Sequence, residues 1–214
     1  MLRRDREGAD DWVFSGPDGY ADDPTDAFTG MRVWGNDLGG GNFNGEYQPE
    51  IVNRLSSPEI DPGDYREVVV QYRRWLNVED GVYDRARVYA GDTVIWENHD
   101  SNEQRGDEHT ADRDWVLHTL PASVEGPFKL GWEIESDGGL EMGGWNIDDV
   151  CVYAVPVAGA EDSGVPDDGD TGETDTPGVD EKDGSVDVSA GTGCGCDAAG
   201  SAAPAILGIA AALA

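Results

Sequence analysis

Phe128, Leu130, Trp132 and Ile134 alternate with Lys129, Gly131, Glu133 and Glu135, and a period of two is the mark of a strand with one buried and one wet face. Outside the apolar C-terminus, no stretch of a dozen residues sustains the 3.6 period of a helix. Most of the chain must therefore bury its apolar residues as sheets. Glu67 to Leu76 is a long β-branched run suited to a central strand, and Arg85–Ala90 and Thr93–Trp96 flank Gly91-Asp92, a two-residue hairpin with glycine first. Further strands are expected around Met31–Trp34, Asn53–Ile60, Trp115–Leu120 and Trp145–Val155. Many short strands separated by Gly, Asp and Pro turns predict an all-β chain, an antiparallel β-sandwich or jelly roll.

The sandwich has a legible end. All seven Trp fall between Trp12 and Trp145, and the last aromatic residue is Tyr153. A packed domain over residues 11–155 is expected. Residues 156–193 are dominated by Asp, Glu, Gly, Thr, Ser, Val and Pro, too little apolar surface to offset the entropy of ordering them. They predict a disordered acidic linker. Residues 194–214 begin with Cys194-Gly-Cys196 and continue as an uncharged Ala, Leu and Ile run, short for a bilayer span and expected as a short apolar helix that meets a membrane. The first residues carry an Arg pair without an apolar run behind it, so no secretory signal peptide is expected there.

With 14 Lys plus Arg against 45 Asp plus Glu, the formal net charge is -31. Such a chain lacks the basic stripe that phosphate backbones require, so a nucleic-acid partner is not expected.

Phe28 to Phe43, Leu55 to Asp61, Tyr72 to Glu79 and Gly143 to Val150 resemble the β-sandwich (MAM-like) modules that follow the catalytic domain in immune inhibitor A type metallopeptidases. The resemblance implies the fold and an extracellular setting. It does not bring a catalytic activity, since no His-Glu-x-x-His occurs in this sequence. Cys194, Cys196 and the apolar run are similar to the MYXO-CTERM sorting signal of myxobacteria, without its terminal Arg cluster. That likeness implies tethering to the outer surface of the cell.

The remaining candidate chemistry is sparse. His99, Asp100, Glu103, Asp107, Glu108 and His109 are zinc-type ligands, yet they fall in a charged stretch between strands, where a solvated loop is expected. His118 and Cys151 alternate with apolar neighbours and are expected to be packing residues, Cys151 as a buried thiol. Calcium fits the acidic side chains better. Asp148 and Asp149 are adjacent on the closing strand, so alternation should send one inward, and Asp37, Asp80 and Asp84 are its candidate partners around a structural calcium. No nucleophile, base and orienting group stand in a recognisable pattern, and no enzyme activity is expected. The sequence points to a noncatalytic accessory module binding protein or glycan, with Tyr47, Tyr83 or Trp96 as contacts. The alternatives are a purely structural surface protein, or a fragment of an immune inhibitor A type peptidase lacking its catalytic domain.

Overall fold

The structure is a computed structural model that describes residues 3–7 (backbone only), 12–39, 44–102 and 108–155. The expected linker, Cys194, Cys196 and the apolar helix lie outside the described residues. Two antiparallel sheets face each other. The first has five strands in the order β1 (Arg3–Glu7), β4 (Val52–Ser56), β10 (Leu130–Glu135), β6 (Arg85–Ala90), β7 (Thr93–Glu97). The second has six, in the order β2 (Trp12–Ser15), β3 (Val33–Asn36), β11 (Gly144–Ala154), β5 (Glu67–Val78), with β8 (Thr110–Ala111) and β9 (Val116–Ser123) both pairing along the free edge of β5. This is the antiparallel β-sandwich that the alternation predicts, and the described residues contain no α-helix.

Period-2 alternation builds the core between the sheets. Leu130, Trp132 and Ile134 from β10 meet Val68, Val70, Tyr72 and Leu76 from β5, all at most 2% exposed. Tyr72 and Trp132 pack edge to face with centroids 5.5 Å apart. Ala90 and Thr93 pair across Gly91-Asp92, and Gly91 has φ +62, as the glycine-first hairpin requires. The strand expected at Met31–Trp34 begins later, at Val33, since Met31 is 83% exposed and the buried run starts at Val33.

The outer face of the first sheet is not simply wet. Glu133 is buried because Arg54 donates to its Oε2 from Nε (2.9 Å) and Nη2 (2.6 Å), while Arg87 Nη1 (3.2 Å) and Tyr89 OH (2.8 Å) donate to its Oε1. Arg54 also lies 3.7 Å over the Tyr89 ring, so the carboxylate is desolvated by groups that satisfy it. Cys151 is half-buried and disulfide-bonded, where a free buried thiol was expected.

His118 sits at the mouth of the core, 2.8 Å from Tyr72 OH through Nδ1 and edge-on to Trp96. Burial, aided by the Arg74 charge, lowers its pKa to about 4. The folded state thus stays neutral while the unfolded chain takes up a proton near the ordinary value of 6.5. Stability is complete above that value and declines as pH falls from 6.5 to 4. An NMR titration should show the imidazole neutral down to about pH 4. Protonation at the ordinary histidine value would mean that the imidazole is not buried in solution.

Candidate metal centre and ligand-binding face

β5 ends in Val78, and the chain turns at Glu79-Asp80 to enter β6. Val78 is fully buried, so the acids that follow it are drawn to the end of the core: Glu79 is 8% exposed, Asp80 0% and Asp84 1%. Asp80 organises the turn. Its Oδ1 accepts from the N–H groups of Val82 (3.0 Å) and Ser101 (3.0 Å), and its Oδ2 from that of Glu108 (3.2 Å). Burial alone would raise its pKa, but these bonds and one from the Ser101 hydroxyl hold it below the usual carboxylate range.

Asp84 accepts a short hydrogen bond from Tyr47 OH at Oδ2 and one from the Asp137 N–H at Oδ1 (2.8 Å). Ligand oxygens of Glu79, Asp84 and Asp137 all lie within 4.8 Å of one another. Burial, followed by the charges of Asp84, Asp137, Asp80 and Glu141, pushes the Glu79 pKa up to about 7. Three carboxylates this close suit a hard cation with oxygen ligands. Glu79 and Asp137 complete a trio of which sequence reasoning named only Asp84. A buried Glu at a strand end and an Asp in a Gly-rich turn carry no spacing signal, because β10 leads into that turn from the other sheet.

The other expected ligands lie elsewhere. Asp37, at φ +31 just after β3, is buried with Gly39 N–H donating to Oδ1 (3.3 Å) and with no partner for Oδ2. Asp148 and Asp149 do not alternate: a register shift interrupts β11 after Asp148, and Asp149 takes φ +46. Both side chains consequently reach one residue, Thr29, whose N–H donates to Asp148 Oδ2 (3.0 Å) and whose hydroxyl donates to Asp149 Oδ1 (2.6 Å). Neither is sent into the core, because a bulge cancels the two-residue period. His99 Nε2 lies 2.9 Å from Glu108 Oε2, both well exposed, as the solvated-loop reading expects. Glu103 and Asp107 lie outside the described residues.

The aromatic contacts also differ from those expected. Tyr47 is buried by its bond to Asp84, and Trp96 packs on Trp145 with centroids 5.6 Å apart. Half-exposed aromatics gather instead on the outer face of the second sheet. Trp75 on β5 and Trp115 before β9 meet edge to face at 6.0 Å, and Phe28 lies 6.5 Å from Trp115 with Arg73 3.9 Å over its ring. Each indole N–H is held by a loop carbonyl, Trp75 by Asp22 (2.8 Å) and Trp115 by Asp26 (3.1 Å). Trp75 and Trp115 were legible as outward positions once Leu76 and Leu120 were assigned inward. Their meeting with Phe28 was not, because Phe28 comes from a distant loop.

No family model and no curated protein sequence matches this chain. Among solved structures it is similar to the C-terminal CBM6 of LamC, a laminarinase from Zobellia galactanivorans (14% identity, TM-score 0.38, covering 71% of this chain and 98% of that one). It is similar also to the K1 cleaved adhesin domain of Lys-gingipain from Porphyromonas gingivalis W83 (13% identity, TM-score 0.46, 72% and 91%). A cyclase from Fischerella sp. TAU aligns at 17% identity and TM-score 0.39 (68% and 73%). At these TM-scores the likenesses carry no functional argument.

Glu79 gives the site a pH signature. Its folded pKa of about 7 exceeds the ordinary 4.5, so the folded state holds the proton more tightly in that window, and metal-free stability falls as pH rises through it. In chelator, Glu79→Gln should raise the Tm at about pH 8, where the native carboxylate is ionised, and leave it nearly unchanged at about pH 5. A variant effect independent of pH would show that Glu79 does not feel its acidic neighbours.

Proposed function

We propose that this chain is a noncatalytic binding module whose ligand, a glycan or a protein, docks on the Phe28–Trp75–Trp115 face. The observation that carries this reading is the fixing of both indoles by backbone carbonyls outside the core. Rings held this way offer apolar surface at little further entropic cost, and Arg73 and Thr119 on neighbouring outward positions carry hydrogen-bonding groups. The ionisable groups support a binding role better than a catalytic one. His118 is held neutral against Tyr72, and His99 pairs with Glu108 in an exposed loop.

A structural calcium at Glu79, Asp84 and Asp137 belongs to the same proposal. It is supported by the convergence of three carboxylates at the end of the core. So does an extracellular setting in which residues 156–214 hold the sandwich away from the outer membrane, supported by the acidic composition of that segment and its Cys-Gly-Cys and apolar ending. The resemblance to immune inhibitor A modules is consistent with an accessory role beside a peptidase.

Screening the purified chain against a glycan panel and surface proteins should identify a ligand, and Trp115→Ala should weaken it by about 2 kcal/mol, roughly thirtyfold in Kd. A ligand whose affinity ignores both Trp115→Ala and Phe28→Ala would move the docking face elsewhere, and the absence of any ligand would favour a purely structural surface protein. With calcium present, Glu79→Gln should lower the Tm, opposite in sign to its effect in chelator. The same sign in both buffers would remove calcium from the trio.

A further inference from the structure

Four buried oxygen atoms outside the acidic trio have no hydrogen-bond partner: Asp23 Oδ2, Asp37 Oδ2, Asn77 Oδ1 and Asn146 Oδ1. Their side chains are among the least exposed polar groups of the protein, Asp23 at 5%, Asp37 at 3% and both asparagines at 0%. A buried acceptor left unmatched is destabilising, so a group of them calls for a physical explanation.

The chain brings them together from separate elements. Asn146 on β11 lies opposite Trp75, and Asn77 lies two residues beyond Trp75 on β5, so both asparagines share the outer face of the second sheet. The loop after β2 folds over them through Ala21 (φ 48) and Asp22 (φ 65). There the Asp22 carbonyl accepts from Asn77 Nδ2 (3.0 Å), and Asp23 Oδ1 accepts from Asn146 Nδ2 (2.6 Å). These bonds settle the amide orientations, because turning either amide over would set acceptor against acceptor. Both Oδ1 atoms are thereby left without a donor. The charge of Asp37 reaches Asp23 from the end of β3.

Two glycines make room. A Cβ on Gly143 would stand 2.5 Å from Asp23 Oδ1 and 2.8 Å from the Ala21 carbonyl, and a Cβ on Gly35 would stand 2.9 Å from Asn146 Oδ1. The result is a dry group in which one oxygen of each carboxylate and both amide oxygens have no donor. One water has two protons for these four acceptors. A hard cation answers every atom at once, since carboxylate and amide oxygens are its preferred ligands.

We propose that Asp23, Asn77 and Asn146, with Asp37 beside them, form a calcium site distinct from the Glu79–Asp84–Asp137 trio. The ion fastens the loop whose Asp22 and Asp26 carbonyls hold Trp75 and Trp115. If the proposed docking face is correct, its ligand affinity therefore depends on calcium at this second site. The site itself does not rest on that reading and is tested without a ligand.

The test uses the full chain carrying Glu79→Gln and Asp137→Asn, which disables the trio. Calorimetric titration with calcium should still find about one equivalent, and adding Asp23→Asn should weaken it at least tenfold and erase the remaining calcium-dependent rise in Tm. Unchanged calcium binding on adding Asp23→Asn would overturn the proposal. So would an infrared band of a protonated carboxyl that persists in calcium and disappears with Asp23→Asn, since a proton would then stand where the ion is proposed. If Asp23→Asn does not fold, crystals of the unmutated chain soaked in terbium decide the matter. An anomalous peak between Asp23, Asn77 and Asn146 is expected, and its absence there would overturn the site.

Discussion

Trp145 ties the structure together. It leaves β11 for the interior with no exposed surface, donates its indole N–H to the Glu133 carbonyl on the opposite sheet (2.9 Å), and donates its backbone N–H to Asn36 Oδ1 (2.9 Å). Trp96 and Tyr72 pack against its ring. Burying such a ring is worth about 4–6 kcal/mol as an upper bound from area alone. Because the donor is satisfied across the gap, the same residue also sets the registration of one sheet over the other. Its neighbour Asn146 faces the outer polar groups under the Tyr20–Asp22 loop, so the core and the second candidate cation site share one strand.

Charge is distributed in keeping with that architecture. Buried acidic side chains are either satisfied or left needing a partner. Asp80 is satisfied by backbone N–H groups, and Glu133 by Arg54, Arg87 and Tyr89. Glu79, Asp84 and Asp137 have one another, while Asp23 and Asp37 each keep an oxygen without a donor. The unmatched groups lie at the end of the sandwich and under the Tyr20–Asp22 loop, and the second of these supports the aromatic face. The Asp22 and Asp26 carbonyls thereby link this loop to the two indoles of the aromatic face.

The sequence by itself determined the fold class, the central position of Glu67–Val78, the Gly91-Asp92 hairpin and the inward set of β10, because a two-residue period acts locally and a central strand needs a long β-branched run. It also named Asp84, with Asp37 and Asp80, among the candidate calcium ligands. The tertiary structure alone decided which residues converge. A bulge with Asp149 at positive φ turned two expected alternating acids toward Thr29, and no composition signal marks such an interruption. Glu79, Asp84 and Asp137 meet because β5, β6 and the turn after β10 end at the same edge, and Asp23 meets Asn77 and Asn146 because a loop crosses from the far side of β3. Contacts between residues 53 to 123 positions apart are set by strand order and register, which one-dimensional periodicity does not encode.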